Sequence, residues 1–187
     1  MQTQPRQRDA AATKARIQEM AALKFTESGF DGVGIREIAD AADVNVALIS
    51  RYFGSKKKLF TEAILTRLSI EPLLQGPVEE WPETMADFMF NKARNADGID
   101  PLVAVLRSAG SPSVTPAIKH IFEEKIFDRL AGQLPAPSAR QQAALIISLL
   151  FGFDSLRRIF GVADLTRHDQ KKLRHQLVHI LRELTQC

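Results

Sequence analysis

An all-α chain is predicted by three features of this sequence. Apolar residues recur at helical spacing from end to end. No stretch alternates apolar and polar residues as a half-buried strand does. The joints between periodic stretches carry Gly, Pro, Asn or Ser where helices start and stop. The 187 residues suit one ordinary domain, or a small domain joined to a larger one. A hydrophobic fraction of 45% and a charged fraction of 25% are those of a soluble globular protein. The longest apolar run, AALIISLLFGF at 143–153, falls well short of the roughly 20 residues of a membrane span. The N-terminal MQTQPRQRDAAATKAR is polar and lacks the apolar core of a secretory signal. The single cysteine, Cys187, forms no internal disulfide and suits a reducing compartment. A cytoplasmic chain with no membrane association is therefore expected.

Taken in order, a first helix is expected from about Ala10 to Ser28, with Ile17, Met20, Ala21, Leu23 and Phe25 mostly on one face. Gly29 then supplies the left-handed stop that helix ends favour. Phe30 and Val33 lead to a second helix at 35–41, and a turn follows at Ala42-Asp43-Val44. Asn45 is a good N-cap for a third helix at 46–52, because its side-chain oxygen accepts a free backbone N–H. Ser55 caps a fourth, expected to run from Lys56 to about Ile70. The stretch EPLLQGPVEEWPE at 71–83 holds three prolines and a glycine. A domain boundary is placed there, giving an N-terminal domain of 1–70 and a second of 71–187, with 56–70 as the bridge. Beyond it, helices are expected at 83–96, 101–108, 115–133, 138–160 and 168–185.

The segment IREIADAADVNVALISRYFGSK at 35–56 is the most informative. Ile35, Ile38, Ala39, Ala42, Val44, Ile49 and Phe53 give its two short helices one shared apolar seam. Arg36, Asn45, Ser50, Arg51, Tyr52 and Lys56 are left facing outward. A helix that buries its inner face on a neighbour and presents small and polar side chains outward fits a DNA major groove. The segment 34–53 therefore reads as a helix-turn-helix. Residues 1–70 hold 11 Lys or Arg against 8 Asp or Glu, whereas 71–187 hold 14 of each. The surplus lies where phosphate attraction would use it, which supports the motif without establishing it. In isolation, Lys56-Lys57-Lys58 reads as a solvated helix face, and Tyr52 with Phe53 as core.

Over about residues 14–60 the sequence resembles the TetR family, the tetracycline-repressor-type bacterial regulators. The resemblance rests on Arg16-Ile17 followed by Ala21, Phe25 and Gly29-Phe30, on IREIA at 35–39 with Ala42 and Val44, and on Tyr52-Phe53 with Ser55-Lys56. LRSAGS at 106–111 and LLFGFDSLRRIFG at 149–161 are only loosely similar to the ligand-binding domains of that family. The resemblance implies a homodimer that places one helix-turn-helix per subunit in the major groove, on a palindromic operator with half-sites about 34–36 Å apart or a multiple of it. It puts Gly34, Arg36, Asn45, Val46, Ala47, Ser50, Arg51, Tyr52 and Lys56 where family members touch DNA. The chemistry of several agrees. Lys56 opens a helix whose free N–H groups help hold a phosphate. Val46 and Ala47 are small enough to reach base edges and thymine methyls. Arg36 and Arg51 suit either phosphate or guanine. Four positions depart from the family pattern: Gly34 replaces a capping Ser or Thr, Asp43 a turn glycine, Ala47 a frequent glycine and Ser50 a frequent tyrosine.

In the second part, the helix at 138–160 is apolar nearly all round between Ala143 and Phe153, so both its sides need covering. By resemblance, it and the helix at 168–185 (Leu173, Leu177, Ile180, Leu181, Leu184) form a four-helix dimer interface; the alternative is that they fill a monomer core. Seven of the eleven phenylalanines lie in this part. An aromatic stripe at helical spacing is ordinarily core, but the family commonly holds an inducer cavity there. Phe88, Met89, Leu106, Phe122, Ile126 and Phe151 are its candidate lining. Arg107 is a candidate polar anchor, or else the ion-pair partner of Glu123, Asp128 or Asp154. His175 and His179, one turn apart and near His168, match no zinc-enzyme arrangement and read as a surface pair. Nucleophile elbow, phosphate loop and dinucleotide fingerprint are all absent from the sequence. No enzyme, metal or cofactor is therefore expected. The reading is a dimeric, ligand-responsive regulator, a repressor released from double-stranded DNA by an unknown small apolar effector. The alternatives are an activator, a ligand-independent regulator, or a helical binding protein or enzyme with a vestigial helix-turn-helix.

Overall fold

The computed structural model describes residues 4–91, 97–135, 137–167 and 169–186, so His168, Cys187 and the expected helical residues 92–96 lie outside the described residues. Eleven α-helices are described: α1 Gln4–Ser28, α2 Ile35–Ala41, α3 Val46–Phe53, α4 Lys56–Ala63, α5 Trp81–Asn91, α6 Pro101–Ser108, α7 Thr115–His120, α8 Asp128–Ala131, α9 Ala139–Asp154, α10 Ala163–Thr166 and α11 Gln170–Gln186. Two π-helical segments, Ile121–Phe127 and Ser155–Ile159, and three single 3₁₀ turns complete them. The described residues contain no strand, so the chain is all-α as expected. None of the described helices is long and apolar enough to cross a membrane.

Several boundaries differ from expectation. The fourth helix stops at Ala63 rather than near Ile70, tightening into a 3₁₀ turn at Leu65–Arg67. Ile64 leaves ideal helical geometry, with φ −115°, and the β-branched residues Ile64 and Thr66 lose side-chain freedom in a helix, so little opposes that exit. The fifth begins at Trp81, two residues early, because Pro82 in a first turn forfeits no hydrogen bond. The expected helix at 115–133 is broken by its π segment, and the one at 138–160 ends in another.

The chain divides into two compact units, Met1–Leu68 with Arg94–Lys119, and Ser69–Ala93 with His120–Cys187. By its contacts Arg94–Lys119, and with it α6, groups with Met1–Leu68 in the first unit. Polar ties explain that grouping. Asp100 N–H donates to Thr26 Oγ1 at 3.1 Å, Phe30 N–H donates to Ser108 Oγ at 2.9 Å, and Arg107 donates to the carbonyls of Thr26 and Glu27.

In the first unit, Ile17, Ala21, Ala22 and Phe25 of α1 are buried, together with Leu59, Phe60 and Ala63 of α4. Phe60 meets Phe25 edge-on at 5.1 Å and Phe30 at 5.5 Å between ring centroids. Each such pair adds about 0.5–1.5 kcal/mol beyond the area it buries. Against this base α2 buries Ile38 and Ala39, and α3 buries Ile49 and Phe53. The predicted seam is thus present.

In the second unit α11 packs on α5 and α9. Leu177, Val178 and Leu181 are buried, and Arg174 pairs with Asp87 at 2.6 Å. Arg182 pairs with Glu83 one helical stretch away. Arg158 grips Asp154 through two bonds of 2.9 and 2.8 Å in a nearly fully buried pair.

Candidate nucleic-acid interface

The third helix is short, so its ends decide its orientation. Asn45 Oδ1 accepts the Ala47 N–H at 2.8 Å, the N-cap bond its sequence position predicts. Gly54, with φ 74°, closes the other end. Between the caps, Ile49 and Phe53 are buried, whereas Asn45, Ala47, Ser50 and Arg51 are exposed and Val46 and Tyr52 half-buried. The Tyr52 ring leans edge-on to Phe53 at 6.4 Å, which braces the side chain. Asp43 adopts φ 49°, the left-handed turn conformation that a short polar side chain tolerates. Its carbonyl also accepts from Arg16 at 3.5 Å, which ties the turn back to α1.

Arg36 and Gly34 are exposed at the start of α2. Gly34 has no side-chain acceptor, so only half of a capping box forms there: Glu37 accepts the Gly34 N–H. Lys56 opens α4 behind the Ser55 cap, whose hydroxyl accepts the Lys58 N–H at 3.2 Å. Its ammonium does not extend freely into solvent. It sits 4.4 Å from the centroid of the Phe30 ring. Burial there lowers its pKa from the ordinary lysine value, against the opposing pull of Asp31 and Glu37. None of the nine candidate DNA residues is buried: six are exposed, Val46, Tyr52 and Lys56 are half-buried, and they come from the starts of α2 and α4 and from α3.

The pocket candidates are divided between the two units. Leu106 and Arg107 belong to the first unit; Phe88, Met89, Phe122, Ile126 and Phe151 belong to the second. Phe122 meets Phe151 edge-on at 6.0 Å, and Met89 and Ile126 are buried. Arg107 donates from Nη1 to the Thr26 carbonyl at 2.6 Å and to that of Glu27. It therefore meets the negative end of the α1 dipole, a destination its sequence neighbourhood does not announce. Of the acids considered as its partners, Asp128 is paired with Arg140 and Asp154 with Arg158.

An open apolar groove of about 460 Å³ lies in the second unit, between the two helices that the resemblance implies for a dimer interface. Leu149, Phe153, Leu165, Leu173, Leu177 and Ile180 line it, with Gln176 and His179. In the same unit Leu145, Leu156, Phe160 and Ile180 are 56%, 47%, 71% and 46% exposed. The unbroken apolar character of 143–153 was the available signal.

Residues 19–63 match the family description "Bacterial regulatory proteins, tetR family", and residues 79–184 match "Tetracyclin repressor-like, C-terminal domain". The chain belongs to the TetR family. One similar protein is the Bacillus subtilis "Probable HTH-type transcriptional regulator YttP", 47% identical over 53 residues, 28% of this chain and 26% of that one. Another is the Streptomyces coelicolor "HTH-type transcriptional repressor SCO4008", 36% identical over 86 residues, 43% of this chain and 44% of that one. These alignments span less than half of either relative. Among solved structures, NalD of Pseudomonas aeruginosa, titled the secondary repressor of the MexAB-OprM multidrug efflux pump, superposes with a TM-score of 0.68 at 18% identity. The superposition covers 94% of this TetR-family chain and 96% of NalD, and speaks for the fold alone.

Proposed function

We propose that this TetR-family chain is a homodimeric, ligand-responsive transcriptional repressor. The observation that carries the reading is the bare outer face of α3, presented by a helix whose inner face is buried and whose first turn is capped by Asn45. Asn45, Val46, Ala47, Ser50 and Arg51 enter the major groove; Gly34, Arg36, Tyr52 and Lys56 meet the flanking backbone. DNA binding belongs to residues 1–70, and effector binding and dimerisation to 71–187. The dimer forms through α9 and α11, because both bury one apolar face in their own unit and leave another exposed. Such a face is costly in water and ordinary in an interface. A small apolar effector held near Phe122, Ile126 and Phe151 changes the separation of the two reading helices and releases the operator, a cytoplasmic switch that needs no cofactor. The likeness to the Streptomyces coelicolor transcriptional repressor supports the repressor assignment.

Selection of bound duplexes from a random pool tests this reading. The expected product is a palindrome whose half-sites are separated by a whole number of helical turns. Enrichment of no sequence, or of an asymmetric one, overturns the dimeric-operator account.

A further inference from the structure

The helix α6 lies in the middle of the sequence, yet its last residue bonds the backbone of Phe30, whose ring carries a side chain assigned above to phosphate binding. Ser108 is 1% exposed. Its hydroxyl donates to the Ala104 carbonyl at 2.6 Å and accepts the buried Phe30 N–H at 2.9 Å. The preceding Gly29 packs so closely on the Arg107 backbone that a Cβ there would stand 2.6 Å from the Arg107 carbonyl oxygen. Phe30 cannot move away from α6 without breaking the Ser108 bond and leaving a buried N–H unpaired. The Phe30 ring is further set by its contacts with Phe25 and Phe60. On the ring stands the Lys56 ammonium, 4.4 Å from the centroid. A cation is drawn to the face of an aromatic ring within about 6 Å of its centre. Where the ring goes, the charge follows.

We infer that Ser108 is a positioning residue for DNA binding: it fixes the backbone of Phe30, whose ring holds the Lys56 ammonium at the mouth of α4. The inference rests on the reading that Lys56 meets a DNA phosphate. The same chain of contacts gives Arg107 and Gly29 a purpose, since both hold the end of α1 from which Phe30 departs.

A double-mutant cycle tests it on the full chain. Affinity for a labelled duplex of about 30 base pairs, long enough for two half-sites, is measured by fluorescence anisotropy across a sodium chloride series. Ser108→Ala is expected to weaken binding about fivefold at fixed salt and to lower the salt slope by about one, as Lys56→Ala does. In the Lys56→Ala background it has no further effect, and Ser108→Thr, which keeps the hydroxyl, restores the wild-type slope. Equal losses in both backgrounds overturn the inference. If Ser108→Ala does not fold, Phe30→Leu decides, since it keeps the backbone bond and removes the ring face. Its loss also vanishes in the Lys56→Ala background, and persistence of that loss overturns the inference. A wild-type affinity that ignores salt overturns the DNA-binding reading and this inference together. Salt-dependent wild-type binding with additive cycles overturns this inference alone.

Discussion

Lys56 has two competing demands on its charge. Packing over Phe30 removes water from the ammonium and lowers its pKa from the lysine value of 10.5, whereas a DNA phosphate favours the charged form. The sign of the consequence follows. In the free protein Lys56 loses its proton below 10.5; in the complex the phosphate holds the proton on to higher pH. Binding therefore takes up a proton in that alkaline interval, and affinity falls as pH rises through the free-protein value. Lys56→Arg, which stays charged throughout, is expected to remove that fall in anisotropy titrations kept below the pH at which the duplex melts. An equally steep fall in Lys56→Arg would assign the titration to another group. Gly29 is under a different constraint. With φ 70° and a neighbouring carbonyl oxygen where its Cβ would go, Gly29→Ala is expected to cost about 2 kcal/mol or more. A urea midpoint unchanged by that substitution would contradict the packing described.

Among the elements, what was legible in the sequence was local chemistry. Asn45, Ser55 and Gly29 act within a turn of their own positions, so their residue types suffice to place the ends of α1, α3 and α4. The seam between α2 and α3 was legible for the same reason, its period being short and regular. What was not legible depends on partners far along the chain. Arg107 sits beside α6 residues in sequence, but its guanidinium goes to carbonyls 80 and 81 residues earlier. The early end of α4 and the π segments at 121–127 and 155–159 are likewise departures that helical periodicity does not encode. The local part is directly testable. Asn45→Ala removes the acceptor for the Ala47 N–H and is expected to destabilise the first unit by about 1 kcal/mol. Asn45→Asp keeps the acceptor and should retain that stability in thermal unfolding, while its new negative charge weakens binding to a duplex. Loss of stability in both variants would show that the cap is not what Asn45 contributes.

At the scale of the whole molecule, the exposed apolar faces of α9 and α11 call for a cover. Leu145, Leu149, Phe153 and Leu156 recur on one face of α9 and its π-helical continuation, and Ile180 faces outward from α11. Burying a side chain of this size is worth about 1.5–3 kcal/mol, so a handful on each of two copies outweighs part of the cost of association. Leu145 and Ile180 are 56% and 46% exposed within one chain, so charges there leave the interior of a subunit intact. Leu145→Glu combined with Ile180→Glu is expected to sediment as a monomer at micromolar concentration with unchanged helix content. Separation of the subunits should then weaken binding to a two-half-site operator by about 100-fold or more, because the second reading helix no longer arrives tethered to the first. Binding to a single half-site should stay near the wild-type level. A double variant that remains dimeric would move the interface off these helices, and a monomer that binds the full operator as tightly as the wild type would separate dimerisation from recognition.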